Sequence, residues 1–570
     1  MDRAVALANN DVAQIGWAYS EKLEGCLGFA IRRITVTAAP GAAAAVPPEP
    51  EFLPAWVGFR GTDNADWTPH TTEQWPIQKF NWRDLTAARG GTYKFEVIPM
   101  RGAPNALTPW EERKLVTNEV TLTPTLGSFS AYFNRGILST QHLAHVLNKG
   151  PSGAPNYREL IDRIDQPGDP LRQELAGQII DAMLSLLRRA EEKGGDCYAA
   201  LYELSDPELV KALLDTKSKD SLHLILSNTG TDDEVNDAAR QALHEADLDI
   251  TDRMLGSGHI GHNKFMVYVD SSNQPQVVLS GSTNWTASAV CGQSNNAIVI
   301  ESTELAEAYL DYWKRLKADD AEQATSFRED NRTAHKANDV GTTVWFSPNT
   351  PQKNKPSKNP RTPVDMDEVF ECMKAAEQAI LFLAFQPGSP SIVQTAAECL
   401  DAKPRLFLRG AATDPSVQKT FLDTVELFHG STEPDLVVPA TAVTDQFSYW
   451  ERELLKSSPT AHAIIHDKIV VIDPFTDGCV VVTGSHNLGF RASYNNDENL
   501  LIIRGNRSLA AAYAVHVMDV YDHYRWRFSL ANVGNKKAWS GLDTTDAWQN
   551  KYFRNGIADA PELRFWLGKP

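Results

Sequence analysis

Two short stretches hold residues suited to phosphoryl chemistry, His262-Asn263-Lys264 and His466-Asp467-Lys468. An imidazole serves as nucleophile or proton donor near neutral pH, and an ammonium two residues on adds positive charge. Of the 14 histidines only these two stand in H-x-K, 204 residues apart. Each is followed by G-S-x-N, beginning at Gly281 and Gly484, 203 residues apart. A lone histidine ahead of a strand is ordinarily a hydrogen-bonded structural residue. Two copies in matching frame are a repeat with a purpose. Splitting a phosphodiester needs a nucleophile, a proton for the leaving oxygen, and cations or donors around the phosphoryl oxygens. The imidazoles of His262 and His466 meet the first two needs; Lys264, Lys468, Asn284 and Asn487 meet the third. No metal is required by this set, and no cofactor is suggested.

A competing pattern overlaps the first copy. Gly256, Gly258 and Gly261 spell G-x-G-x-x-G, but a dinucleotide-binding turn needs a helix after the glycines. Phe265-Met266-Val267-Tyr268-Val269 follows instead, β-branched and aromatic, which is strand chemistry.

The elements that position these groups follow from period and turns. Residues i and i+2 of a strand share a face, so His262 and Lys264 point one way, as do His466 and Lys468. Each strand meets a turn-forming segment, SSNQPQ (271–276) or PFTDG (474–478), and a second apolar run returns. In an antiparallel hairpin the ends of the second strands, Ser282 and Asn284 or Ser485 and Asn487, fall beside the starts of the first. The repeat extends outward from there. AYFNRG (131–136) is echoed by VWFSPN (344–349), LHLILS (222–227) by RLFLRG (405–410), and NNAIVI (295–300) by ENLLII (498–503). Amphipathic helical segments separate these strands, at 169–192, 304–316, 367–378 and 508–526. The alternation argues for two similar α/β lobes. PQKNKPSKNPRTP (351–363) reads as an exposed loop inside the second. Residues 1–125 lack helical periodicity and alternate in the manner of a β-sandwich, as in Gly91–Val97. The domains expected are therefore a β-sandwich of immunoglobulin or fibronectin III type (1–125), a first lobe (126–335) and a second lobe with a C-terminal tail (336–570).

Length and charge bound the rest. At 570 residues the chain holds about three or four units. Its 55 Lys and Arg against 73 Asp and Glu leave a net charge of −18, which opposes strong nonspecific binding to nucleic acid while permitting a locally basic cleft. Six scattered cysteines carry no C-x-x-C pair, and a reduced structural role suits them. The first residues lack a signal-peptide core and no run reaches the length of a membrane span. A soluble chain is expected, cytoplasmic or exported without a recognisable signal.

The paired motifs resemble the phospholipase D superfamily, whose signature is H-x-K-x4-D followed by G-S-x-N. The second copy, His466 through Asp473, fits in full; in the first, Asp270 comes one residue late. Asp473 lies seven residues from His466, on the opposite strand face, so this aspartate is expected to be structural. The resemblance covers roughly residues 126–530. It implies two lobes with the active site at their interface and a phosphohistidine intermediate. It also implies that Glu498 and Asn295, which stand at equivalent places in the repeats, orient an imidazole through Nδ1–H, often that of the other lobe. If the pairing crosses, Glu498 serves His262 as nucleophile and Asn295 serves His466 as general acid; pairing within each lobe would swap the roles. The catalytic set is thus His262, Lys264, His466, Lys468, Asn284, Asn487 and Glu498, with Ser282, Ser485 and Asn295 expected at the substrate.

The signature sets the reaction type more firmly than the substrate. A metal-independent hydrolase or transferase acting on a phospholipid head group is favoured by the acidic balance and by the longer insertion ahead of His466. Phe447, Tyr449 and Trp450 in that insertion suit an acyl chain or a membrane surface, or equally a core. A nuclease acting on DNA or RNA is the alternative, with Lys353, Lys355, Lys358 and Arg361 as backbone contacts. A silent binding scaffold fits least, since neither motif has lost its His or Lys. A monomer with peripheral membrane contact is the expected state. His259, His462 and His486 are expected to be neighbours rather than participants. Trp539, Trp548, Tyr552, Phe553, Phe565 and Trp566 in the tail are expected to pack against a lobe rather than cover the cleft.

Overall fold

The computed structural model describes the chain apart from residues 1, 42–47, 63, 65, 67, 136–156, 217–218, 230–234, 429–434, 441–464, 532–540, 555–556, 559 and 569–570. His462, Phe447, Tyr449, Trp450 and Trp539 lie outside the described residues. The chain divides into two compact units. One comprises residues 1–124, 511–515 and 532–570; the other comprises 125–510 and 516–531.

The larger unit holds two eight-stranded sheets. In chain order the strands of the first are β1 (Thr125–Leu126), β2 (Phe129–Phe133), β3 (Asp196–Leu201), β4 (Leu222–Thr229), β5 (Asp249–Leu255), β6 (Lys264–Val269), β7 (Pro275–Gly281) and β8 (Asn296–Glu301). Those of the second are β9 (His335–Ala337), β10 (Thr342–Ser347), β11 (Ala379–Ala384), β12 (Phe407–Ala412), β13 (Val437–Pro439), β14 (Ile469–Ile472), β15 (Val480–Gly484) and β16 (Glu498–Arg504). The spatial orders are β1-β2-β8-β7-β6-β3-β4-β5 and β9-β10-β16-β15-β14-β11-β12-β13. Adding eight to each number of the first gives the second, so the sequence repeat is a repeat of topology.

The central strands β6 and β14 are buried along their whole length. That is why KFMVYV and IVVI read as continuous apolar runs rather than alternating ones: both faces of each strand are buried. Each pairs antiparallel with the strand after it, Met266 opposite Leu279 and Val470 opposite Val482. These are the hairpins expected around the two motifs. The glycines that open G-S-x-N are needed for close approach. Gly281 has φ +140° and a Cβ there would lie 2.4 Å from the Asn296 carbonyl oxygen; Gly484 has φ +128° and a Cβ would lie 2.5 Å from that of Asn499.

Asp473 sits at the end of the β14 strand, where its carboxylate accepts the backbone N–H groups of Glu377, Gln378 and Ala379 at 2.7–2.8 Å. It anchors the start of β11, far from any imidazole partner of its own motif. Asp270 accepts from Ser272 N and Gln274 N and closes the turn of the first hairpin. Both are fold-forming, Asp473 as its strand face predicts and Asp270 through the turn that it closes. Asp473→Ala is expected to cost about 3 kcal/mol through three lost charge-assisted bonds, seen as a lower Tm with kcat/KM unchanged. A fall in kcat/KM at constant Tm would contradict that role.

The smaller unit contains a three-stranded sheet (Arg3–Ala8, Ala13–Ala18, Asn81–Asp84) and a six-stranded one built on the long strands Cys26–Thr37 and Thr92–Ala103. The tail corrects the expected boundary. Trp548, Tyr552, Phe553 and Leu563 pack in one core with Trp17, Phe29 and Phe80, and Trp548 donates to the Cys26 carbonyl. Residues 532–570 thus group with the N-terminal unit and not with the second lobe. The aromatic rings of the tail find their apolar surface on that sheet, a partner more than 450 residues away in sequence that no local pattern reveals.

Candidate active site

His262 and His466 stand just before β6 and β14, both buried, with ring centres 6.0 Å apart. Each is gripped from the other half. Glu498, the first residue of β16, accepts from His262 Nδ1 at 2.8 Å. Asn295, just before β8, accepts from His466 Nδ1 at 3.0 Å. The pairing therefore crosses. With Nδ1 engaged, Nε2 of each ring is the atom left for chemistry. Two backbone bonds fasten the same seam, His466 N to Ser294 O at 3.0 Å and Asp497 N to Ile260 O at 2.9 Å.

The lysines repeat each other closely. Lys264 Nζ donates to the His262 carbonyl at 2.6 Å and lies 5.3 Å from the Tyr202 ring centre; Lys468 Nζ donates to the His466 carbonyl at 2.5 Å and lies 5.3 Å from that of Phe385. All four groups are buried, and burial sets their charge. It lowers His262 to about 4, against an opposing pull from Glu498. It lowers His466 well below the usual histidine range, reinforced by Lys468 and Lys264. Lys264 falls to about 7 despite Glu498 and Glu203, and Lys468 falls well below the usual lysine range through burial and the charge of Lys264. Burial pushes Glu498 up, but His262 outweighs it and holds the carboxyl below its ordinary value.

The result is an anion site short of protons. A bound tetrahedral oxyanion stabilises every protonated form, raising these values, so binding must draw protons in. Tungstate binding at about pH 8, above the Lys264 value, is expected to take up about one proton. Calorimetry in buffers of different ionisation enthalpy measures it, and proton release on binding would contradict the assignment.

The remaining expected residues fall into two groups. Asn284 and Asn487 reach the site, but Asn284 Nδ2 donates to the Glu203 carboxylate, while the amide oxygens of Asn284 and Asn487 are without hydrogen-bond partners. Ser282, Ser485 and Asn295, expected at the substrate, are engaged with the protein itself. The Ser282 hydroxyl donates to Asn295 Oδ1 and accepts from Asn296 N; Ser485 Oγ accepts from Asn499 N and Nδ2. Asn295 N donates to Asn134 Oδ1, and its Nδ2 to the Ala289 carbonyl. All three are buried and hold the strand ends and the histidine. His259 and His486 bond to Asn495 O and Ser493 Oγ, as bystanders.

Sequence reasoning passed over three supports. Glu203 had one signal, the echo of Tyr202-Glu203 in Phe385-Gln386. Arg253 is buried on β5 and donates to Asp497 Oδ2 at 2.7 Å and Asp319 Oδ2 at 2.8 Å, fixing the residue beside Glu498. Asp467, between His466 and Lys468, accepts from His516 Nε2 and Asn296 Nδ2, each at 2.9 Å. Among the described residues no group of three or more His, Cys, Asp or Glu has a geometry for a metal ion.

The sequence and fold resemble those of several known proteins. A family model for the cardiolipin synthase, PLD-like domain matches residues 183–317 and 425–519, which include both H-x-K motifs. Phospholipase D of Rickettsia conorii (strain ATCC VR-613 / Malish 7) is 30% identical over 131 residues, 23% of this chain and 60% of that protein. Phospholipase D of Rickettsia felis (strain ATCC VR-1525 / URRWXCal2) is 31% identical over 132 residues, with the same coverage. The chain thus spans about three fifths of the length of the curated relatives it matches. Among solved structures, the phospholipase D family member Nuc from Salmonella typhimurium is similar at 22% identity and TM-score 0.20, over 23% of this chain and 83% of that one. Phosphatidylserine synthase from Haemophilus influenzae Rd KW20 is similar at 11% identity and TM-score 0.39, over 61% and 85%. The stretches matched by the family model contain both H-x-K and both G-S-x-N motifs, and over them the chain is similar to proteins of the phospholipase D superfamily.

Proposed function

We propose that the protein is a metal-independent phosphodiesterase that acts through a phosphohistidine, on a phospholipid head group. The carrying observation is the crossed pair: two buried imidazoles 6.0 Å apart, one backed by a carboxylate and the other by an amide. Residues 126–335 and 336–531 are read as two phospholipase D-like lobes that meet at this site, and the smaller unit as a β-sandwich.

His262 Nε2 attacks phosphorus, and the bond to the leaving oxygen breaks as that oxygen takes a proton from His466 Nε2. The alcohol departs, leaving a phosphoramidate on His262. Water then attacks phosphorus and gives a proton to His466 as the P–N bond breaks, which restores both histidines and releases the phosphomonoester. Glu498 stabilises the positive charge that grows on His262 during attack. Asn295 fixes the His466 tautomer without stabilising its charge, so His466 parts with its proton readily. Lys264 and Lys468 balance the phosphoryl oxygens in a buried site, where charge counts most.

The nuclease alternative gains little from the basic loop, because Lys353 and Lys355 donate to the carbonyls of Glu322 and Ser389. The test incubates the protein in EDTA with phosphatidylcholine vesicles and, separately, with single- and double-stranded DNA. Choline release without DNA cleavage is expected. DNA cleavage without choline release would replace this reading with the nuclease.

A further inference from the structure

The residue between histidine and lysine is Asn263 in the first motif and Asp467 in the second, and the repeat surrounds the two alike. Asn263 Oδ1 accepts from Asn499 Nδ2 at 3.0 Å, and Asn263 Nδ2 donates to the Tyr312 hydroxyl at 3.3 Å. Asp467 Oδ1 accepts from Asn296 Nδ2, and Asp467 Oδ2 from His516 Nε2, each at 2.9 Å. Asn499 and Asn296 each follow the residue that orients a histidine. Tyr312 is the tenth residue of the helix Thr303–Ala318, and His516 is the tenth of the helix Arg507–Ala531. Tyr312 stacks on Phe346 of β10 at 4.0 Å, and His516 on the equivalent Phe133 of β2 at 4.3 Å. All these side chains are buried. One framework thus holds a neutral pair, Asn263 with Tyr312, in one half and an ionisable pair, Asp467 with His516, in the other.

Fastening the chain does not explain the difference, because the first half does so with an amide and a phenol. A buried ionic pair adds little stability over a neutral one of similar shape. What the carboxylate adds is charge. Burial pushes Asp467 up, but His516 outweighs it and, with Asn296 and Ser294, holds the carboxyl below its ordinary value. Lys468 is the next residue. The charged groups around it are Lys264 ahead of β6, Glu498 on β16, Glu203 after β3 and Asp467, beside the imidazoles of His262 and His466. Burial and Lys264 oppose its charge, whereas Glu498, Asp467 and Glu203 favour it.

We propose that Asp467, held by His516, is a positioning residue that acts through Lys468: its carboxylate keeps that side chain an ammonium for the phosphoryl oxygens. The assignment rests on the phosphodiesterase reading above for its place in a reaction.

Removing the carboxylate has two opposed effects. Taking a negative charge from beside an anion site tightens anion binding by itself. It also lets Lys468 give up its proton at lower pH, which loosens binding increasingly as pH rises. The test compares the full-length wild-type chain with Asp467→Asn, which keeps an acceptor for Asn296, and with Asp467→Asn/His516→Tyr, which rebuilds the pair of the first half. Tungstate Kd and kcat/KM for bis(p-nitrophenyl) phosphate are measured from about pH 5 to about pH 9. Both variants are expected to be about tenfold worse than wild type in both quantities at the alkaline end and within about twofold of it at the acid end. A deficit equal at every pH would overturn the proposal, because a merely structural role weakens the site uniformly. Tighter tungstate binding throughout would overturn it too, leaving only charge repulsion. The expected tungstate result in a chain that cleaves no diester would uphold the role of Asp467 at the anion site and remove the phosphodiesterase reading. Neither binding nor turnover in the wild-type chain would overturn both.

Discussion

Replacing His262 or His466 by asparagine is expected to lower kcat/KM by about 10⁴-fold or more, with the double variant no worse than either single one. Each imidazole supplies an atom that makes or breaks a bond, and an amide can neither carry the phosphoryl group nor move a proton at neutral pH. Losses do not add because both steps need both rings. Asparagine is chosen over alanine because of the buried Glu498 carboxylate. Glu498 is fully buried, with Asn496 Nδ2 at 3.0 Å as its other donor, and removing His262 altogether would leave the carboxylate short of a partner. An amide at 262 still offers a donor, so Tm should stay close to wild type and separate chemistry from folding. Turnover within tenfold of wild type in either variant would end the two-histidine mechanism.

The second large effect pairs a loss with a gain. Lys264→Met and Lys468→Met are each expected to reduce kcat/KM by about 10³-fold, since the phosphoryl charge would be held in a buried site with one cation missing. The same substitutions should raise Tm. Burial depresses both ammonium groups, so the fold carries a cost for them that an apolar side chain of similar length removes. Methionine keeps the packing against Tyr202 or Phe385. Wild-type activity in these variants would remove the lysines from the transition state; a lowered Tm would show that they stabilise the fold.

Much of this site was legible in the residues because its chemistry repeats. Two H-x-K and two G-S-x-N motifs in matching frame gave the hairpins, the strand faces and the shared site. The alignment of Glu498 with Asn295 gave the two orienting partners, with crossed and within-lobe pairing left open; the hydrogen bonds select the crossed one. The structural role of Asp473 followed from strand parity alone. What stayed hidden depends on partners distant in sequence. Ser282 and Ser485 lie where a ligand could be reached, yet their hydroxyls are taken by Asn296 and Asn499, an exchange that only the packing of β7 on β8 and β15 on β16 creates. Arg253 looks like an ordinary polar residue on an outer strand until Asp497, 244 positions on, is placed against it. Glu203 was visible only as one charge breaking an echo. The tail was assigned by proximity in sequence and grouped instead by apolar contact.

The central claim is that His262 attacks phosphorus and His466 supplies the proton. Its most direct measurement is to quench the protein in alkali during turnover, which preserves phosphoramidates, and to map the phosphorylated histidine by mass spectrometry. A phosphoryl group on His262 is the predicted result; a phosphoryl group on His466 alone would show the roles to be reversed.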